Sequence, residues 1–115
     1  MTPCNAIIKD WDIRESEGYS RCLELWLELK LQGGGGVIYT VYGVHTKDWQ
    51  KNQLAYGIKR VLEITGAASI KDLTGKPIRA MFKGDGLCGD VIIGIGNFLE
   101  DDWLMLREEE LWKKN

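Results

Sequence analysis

The clearest pattern in the chain is a strict alternation between residues 22 and 31. Leucines occupy every odd position from Leu23 to Leu31, and most of the positions between them are polar or charged. A period of two places successive side chains on opposite faces of a strand, whereas a helix would scatter these leucines around its circumference. The pattern therefore predicts a β-strand with one buried and one mostly solvated face.

Four further segments have the composition of strands, and turn-forming residues separate them. In the first, Ile7, Trp11 and Ile13 share one parity, which predicts that they face the same side of the sheet. Pro77 can start a strand but not lie centrally in one, so the third is expected to begin there with Ile78, and Gly84 and Gly86 then form a hairpin turn to the fourth. The four predicted strands are residues 5–14, 37–42, 78–83 and 90–98.

A helical stripe with i, i+4, i+7, i+8 and i+11 spacing lies between the predicted strands at residues 37–42 and 78–83. Thr46 is a suitable N-cap, and Gly66 is a natural residue to follow the last turn. A second amphipathic pattern, from Trp103 to Trp112, predicts a terminal helix. The stripe consists of Leu54, Ile58, Val61, Leu62 and Thr65.

The order of these elements predicts an α+β fold. We expect an antiparallel sheet of about five strands, with one main helix packed on it and a short C-terminal helix. A chain of 115 residues is long enough for one core, so residues 1–115 are expected to form a single domain.

The composition of the chain limits the classes of function that we expect for the protein. The net charge of −2 argues against a basic surface for non-specific nucleic-acid binding, so a nucleotide contact requires a local pocket. Neither a secretory signal nor a membrane span is evident, which predicts a cytoplasmic protein with reduced thiols. The three cysteines have no paired spacing and are interpreted as small buried residues.

No catalytic or metal-binding set stands out in the sequence. His45 is the only histidine and lies between a predicted strand and a helix cap, a position typical of a polar loop residue. Glu100, Asp101 and Asp102 offer carboxylates for a divalent cation, but consecutive side chains point in different directions. We therefore expect no enzymatic activity, no metal and no cofactor.

The binding hypothesis rests on a combination of cations, glycines and aromatic rings. Arg79, Lys83 and Arg60 can meet the Gly94–Asn97 segment in a cleft between helix and hairpin, where guanidinium groups and backbone N–H groups suit phosphate. Tyr39, Tyr42, Phe82 or Trp103 can stack a base. The alternative is that the cations are solubilising and the rings belong to the core.

Four consecutive glycines, Gly33–Gly36, follow the leucine strand. The simpler interpretation is a hairpin loop. The alternative is a loop where the backbone approaches a ligand or a neighbouring subunit closely, which glycine permits. The spacing matches neither a P-loop nor a dinucleotide-binding fingerprint.

Two segments carry a family resemblance: AYGIKRVLEITGAASIKDLTGKPIR, from Ala55, and IGIGNFLEDDW, ending at Trp103. They are similar to a family of short proteins carried by bacteriophages and prophages, which also has a glycine-rich hairpin loop. The match covers about half the chain. The family has histidine at the position of Asn97, so a role that needs an imidazole there is not carried over.

The resemblance implies a phage anti-defence protein of the Thoeris anti-defence type, acting in the host cytoplasm. Such a protein forms homo-oligomers and sequesters cyclic ADP-ribose-type signals or cyclic oligonucleotides without catalysis. The implied roles are phosphate neutralisation by the cations, adenine stacking by a ring, and ligand contact near the end of the last predicted strand. The implied ligand-binding residues are Arg79, Lys83, Arg60, Phe82, Tyr39, Asn97 and Gly96. On this hypothesis, Arg79→Ala abolishes ligand binding and leaves the fold intact.

Two alternatives remain open. One is a phage-encoded inhibitor that binds a host defence protein such as a CRISPR complex through an acidic face, for which Glu100–Asp102 and Glu108–Glu110 are candidates. The other is a single-strand nucleic-acid-binding accessory protein, which the acidic pI of about 5.4 disfavours.

Overall fold

The computed structural model describes residues 2–15, 23–42, 53–82 and 92–105. They form an open antiparallel sheet of six strands, one α-helix and a 3₁₀ turn at Ile70–Asp72, which confirms the α+β class. The helix, α1, is Gln53–Thr65. The strands are β1 (Thr2–Glu15), β2 (Leu23–Leu31), β3 (Gly36–Tyr42), β4 (Pro77–Phe82), β5 (Ile92–Gly96) and β6 (Trp103–Met105).

The sheet is organised around β1, and its strand order is β3-β2-β1-β4-β5-β6. β1 pairs with β2 from Ala6 onwards and with β4 along its first residues, so the two halves of the sheet are offset along it. The edge strands β3 and β6 approach each other closely enough for a hydrogen bond. The Tyr39 hydroxyl donates to the Leu104 carbonyl at 2.9 Å. The sheet therefore coils strongly around its core.

The leucine alternation is confirmed as a strand with one buried face. Leu25, Leu27 and Leu29 are fully buried and Leu31 nearly so. Val61 and Ile64 of α1 complete the same core, with Ile58 and Leu62 packed against it. We call this the core face of the sheet, and the face that α1 does not cover the outer face.

A β-bulge in β1 makes one sequence prediction wrong. The register shifts between Ile8 and Asp10, so parity reverses along the strand. Ile8 is fully buried and Trp11 packs against the core, whereas Ile7 projects from the outer face and is 48% exposed. Ile7 and Trp11 therefore lie on opposite faces, although their spacing predicted a shared one.

The end of α1 is confirmed at Gly66. Its φ of 74° lies in the left-handed region that glycine adopts readily, and its N–H donates to the Leu62 carbonyl at 2.8 Å. The predicted cap at Thr46 lies outside the described residues, as do the 84–86 turn and residues 106–115.

The C-terminal segment corrects the predicted helix start. Trp103–Met105 forms β6 along the edge of β5, so the sheet has six strands rather than about five, and no helix begins at Trp103. The contacts of Leu104 explain why this segment forms a strand and not the start of a helix. In β6 the Leu104 side chain is buried, and its carbonyl accepts a hydrogen bond from the Tyr39 hydroxyl.

Cys4 corrects the prediction of reduced thiols, because it is disulfide-bonded. The remaining cysteines of the chain, Cys22 and Cys88, lie outside the described residues. Within the part of the chain that is described, no helix has the length and apolar character to cross a membrane.

Candidate functional site

The arginines predicted to bind a ligand instead hold the connection between β5 and β6. We call residues 97–102 the clamped loop. Arg60 approaches it from α1, and Arg79 approaches it from β4 on the outer face of the sheet. Both arginines therefore make contacts within the protein, in place of the ligand contacts predicted for a cleft between helix and hairpin.

Asn97 organises the clamped loop from inside. Its side-chain oxygen accepts from the backbone N–H groups of Leu99 and Glu100, at 2.8 and 2.7 Å. Its amide nitrogen donates to the Ile64 carbonyl of α1 at 2.8 Å, and its backbone N–H donates to the Asp102 carbonyl. The side chain thus fixes the turn and attaches it to the helix.

Arg79 fixes the same loop from the outer face. Its Nε donates to the Asn97 carbonyl at 2.9 Å and its Nη2 to the Glu100 carbonyl at 2.8 Å. The guanidinium carbon lies 5.0 Å from the centre of the Trp103 ring, within the range of a cation–π interaction. Its fork is committed to two backbone acceptors, so little of it remains for phosphate.

Arg60 is neutralised by carboxylates. It donates to Asp102 Oδ1 at 2.5 Å and to Glu63 Oε1 at 2.6 Å, and its side chain is only 16% exposed. The hydrogen bond to Asp102, followed by that to Glu63, raises the pKa of Arg60, and the bond from Arg60 lowers the pKa of Glu63. The predicted solvated or phosphate-binding role is replaced by an ion-pair cluster.

Gly96 has a packing role. The Trp103 ring lies over it, and a Cβ built at Gly96 would be 2.5 Å from ring atom Cε3. The Trp103 indole N–H donates to Asp101 Oδ1, which orients the ring. The Trp103 ring therefore requires a glycine at the end of β5, and this contact gives Gly96 no role toward a ligand.

Two of the predicted stacking rings, those implied by the resemblance, are inaccessible. Tyr39 and Phe82 are fully buried, so neither presents a face to a base, and the assignment of adenine stacking to them is corrected. In each strand the residue before the ring projects from the outer face. Because side chains alternate between the two faces of a strand, the ring itself lies in the core. Lys83 lies outside the described residues.

A different set of residues borders an open groove of about 420 Å³ on the outer face. Its apolar floor includes Ile7 and Pro77, which are cross-strand neighbours, and Phe98 closes one side. The Gly33–Gly34 backbone borders it at the β2–β3 turn, with positive φ values of 103° and 106°. We call this the glycine-loop groove.

Polar groups at the rim of the glycine-loop groove are available for contacts. Lys30 is exposed, and among the described residues no carboxylate pairs with it. Asn5, Gln32 and Phe98 also line the groove, and Phe98 is 38% exposed. The groove thus combines a cation, amides, an aromatic ring and an approachable backbone.

Sequence reasoning missed this groove, although one signal for it was present. The Gly33–Gly36 run was noted as a place where backbone can approach a ligand. The outward position of Lys30 followed from the leucine alternation, but the placement of Lys30 and Phe98 at the border of one groove depends on the sheet order. No group of three or more metal-ligating side chains occurs within residues 2–15, 23–42, 53–82 and 92–105.

Comparison with known proteins adds no assignment: no family profile, curated protein or solved structure matches the chain.

Proposed function

We propose that this chain is a phage anti-defence protein that sequesters a cyclic nucleotide immune signal without catalysis. The signal is a cyclic ADP-ribose-type molecule or a cyclic oligonucleotide. The observation that carries the proposal is the glycine-loop groove, which replaces the arginine-lined cleft as the binding site.

The chemistry of the groove supports a nucleotide. Lys30 offers an ammonium group to a phosphate, and the absence of side chains at Gly33 and Gly34 lets the ligand approach the backbone. The Phe98 ring offers a stacking face, a contact worth about 1–3 kcal/mol per base where such stacking has been measured. Asn5 and Gln32 supply donors and acceptors for base or ribose.

The dimensions also support a small ligand. A groove of about 420 Å³ falls within the range of roughly 300–1,000 Å³ typical of small-molecule sites. Its outward opening suits a cyclic molecule with two phosphates, because one phosphate can contact Lys30 while the other stays in water. Affinity without turnover is all that sequestration requires.

A thermal-shift screen tests the proposal, with cyclic ADP-ribose isomers and cyclic di- and trinucleotides as probes. Binding raises the free energy of unfolding by RT ln(1 + [L]/Kd), so a true ligand raises Tm in proportion to log concentration. Lys30→Glu should abolish the shift, and Lys71→Glu, an exposed lysine away from the groove, should preserve it. A shift that survives Lys30→Glu contradicts the site assignment.

Heat release of the bound molecule separates sequestration from catalysis. Recovery of the intact nucleotide supports a sponge, whereas recovery of a cleaved product identifies an enzyme. A shift with single-stranded oligonucleotides that falls steeply with salt would instead identify a nucleic-acid binder.

A second candidate function has its own observation. Leu99 is 80% exposed at the tip of the clamped loop, beside Phe98 and the exposed carboxylates of Glu100 and Asp101. A rigid apolar tip with acidic neighbours suits an inhibitor that binds a host defence protein. In a plaque assay on a defence-carrying host, loss of protection in Leu99→Asp with full protection in Lys30→Glu would favour this inhibitor.

A further inference from the structure

Phe98 belongs to two features of the molecule at once. It lines the glycine-loop groove, where it is 38% exposed, and it lies in the clamped loop. The floor of the groove, by contrast, belongs to paired strands, since Ile7 of β1 and Pro77 of β4 are cross-strand neighbours. The shape of the groove on the Phe98 side therefore depends on the conformation of a loop.

Hydrogen bonds hold the loop backbone on both sides of Phe98. The peptide group that joins Asn97 to Phe98 accepts from Arg79 Nε at 2.9 Å. The next two peptide groups donate to the Asn97 side-chain oxygen, through the N–H groups of Leu99 and Glu100. Each peptide group from Asn97 to Glu100 thus carries a hydrogen bond, and these bonds fix the direction in which the Phe98 side chain leaves the backbone.

Arg79 attaches this stretch of backbone to the sheet beside the groove. It lies two positions after Pro77 in β4, and both residues project from the outer face. Its guanidinium joins the carbonyls of Asn97 and Glu100, which lie on either side of Phe98 in the chain. A planar guanidinium can bind two acceptors at a fixed spacing, which a lysine ammonium does not do.

The other attachments of the clamped loop come from the opposite side of the sheet. The Asn97 amide donates to the Ile64 carbonyl, and Arg60 donates to Asp102 at the far end of the loop. Both partners belong to α1, which covers the core face. Among the described residues, Arg79 is the one side chain that hydrogen-bonds to the loop from the outer face, where the groove lies.

We propose that Arg79 is a positioning residue for the glycine-loop groove, which holds Phe98 in place as a wall of the groove without contacting the ligand. The consequence for a ligand rests on the proposed function. A wall that is already in place need not be ordered when the ligand binds, so it strengthens binding. If loss of the Arg79 contacts leaves Phe98 at the groove in about one fifth of the molecules, the apparent Kd rises about fivefold.

Fluorine NMR of the free protein tests the proposal without any nucleotide. The chain has two phenylalanines, so labelling with para-fluorophenylalanine gives one resonance for Phe98 and one for the fully buried Phe82, which is the internal reference. Loss of a resonance in Phe98→Leu assigns them. In the native chain we expect a single narrow Phe98 resonance, with the small shift between H2O and D2O of a partly covered ring.

Two matched variants locate the effect. Arg79→Lys keeps the charge and loses the contact with two carbonyls. We expect its Phe98 resonance to move or split, with a larger shift between H2O and D2O, while the Phe82 resonance stays in place. Arg60→Lys makes the same substitution at the arginine that contacts the far end of the loop, and its Phe98 resonance should keep the native position.

Three spectroscopic results would overturn the proposal. The first is an unchanged Phe98 resonance in Arg79→Lys. The second is an equal change in Arg60→Lys, or a change that extends to Phe82, since either would reflect a general loss of packing. The third needs no variant: a broad or split Phe98 resonance in the native chain would show that the loop does not fix the ring.

Titration with cyclic ADP-ribose isomers and cyclic dinucleotides separates this proposal from the proposed function. A native chain that binds none of them contradicts the proposed function, and the fluorine spectrum still decides what holds Phe98. Where the native chain binds, about fivefold weaker binding by Arg79→Lys with native affinity in Arg60→Lys supports the positioning role. Equal affinities of Arg79→Lys and the native chain would overturn it.

Discussion

The clamped loop and the glycine-loop groove both contain residues for which the sequence suggested a ligand contact, yet the cations beside them have different surroundings. In the clamped loop, the donors of Arg60 and Arg79 are used by carboxylates and backbone carbonyls. In the groove, Lys30 has no such partner among the described residues. Whether a cation can bind a ligand is therefore decided by the acceptors that already surround it.

Loss of Arg79 should give the largest effect. Arg79→Ala removes two charge-assisted hydrogen bonds and a cation–π contact, which we expect to lower the free energy of unfolding by about 2–4 kcal/mol. Lys30→Ala, the control from the groove, should stay within about 0.5 kcal/mol of the native chain. Urea denaturation followed by circular dichroism measures both.

This expectation reverses the sequence-based hypothesis for Arg79, which predicted an intact fold and lost binding. An Arg79→Ala protein as stable as the native chain would contradict the structural role of the clamped loop.

Gly96→Ala should give the next largest effect. The new methyl group would meet the Trp103 ring at 2.5 Å, and we expect a loss of about 1–3 kcal/mol from overpacking. Gly35→Ala in the glycine run is the matched control, because its Cβ would meet only Leu31 Cδ1 at 3.6 Å. Equal denaturation midpoints for the two variants would count against the packing argument.

Asn97→Asp should have a smaller effect. It keeps the oxygen that accepts from Leu99 and Glu100 but loses the donor to the Ile64 carbonyl, which we expect to cost about 1–2 kcal/mol. Asn5→Asp at the groove rim introduces the same charge without that donor loss and should be nearly neutral. A thermal melt of each variant makes the comparison, and equal Tm values would show that the link to α1 contributes little.

The pH dependence should be the smallest effect. Since folding lowers the pKa of Glu63, its ion pair contributes stability above the ordinary pKa of a glutamate, about 4.3. That contribution is lost as pH falls from there through the lowered pKa. The Tm difference between the native chain and Glu63→Gln should therefore shrink below pH of about 4, and a difference that is constant with pH would contradict it.

The local pattern of the sequence was sufficient to predict most of the fold. The period of two in β2 and the stop at Gly66 depend on short-range geometry, and both are confirmed. The bulge at Ile8 and the strand at Trp103–Met105 were missed, because each depends on a neighbouring strand that the local sequence does not specify.

The candidate site was harder to predict, for a related reason. Residue type identified Arg60 and Arg79 as anion binders, but their actual acceptors come from the β5–β6 connection. The sheet order places Lys30 and Phe98, which are 68 positions apart in the chain, at the border of the same groove. The periodicity of a sequence indicates which face of the sheet a residue occupies. It does not indicate which residues of other strands lie beside it.

We propose the glycine-loop groove, and not the arginine cluster, as the ligand site. Amide chemical-shift mapping during titration with cyclic ADP-ribose isomers and cyclic dinucleotides distinguishes the two locations. If the ligand binds in the groove, the largest shifts occur at Ile7, at residues 30–34 and at Phe98, with little change at Arg60 and Arg79. Shifts centred on those arginines, or none with any nucleotide, would overturn the proposed site.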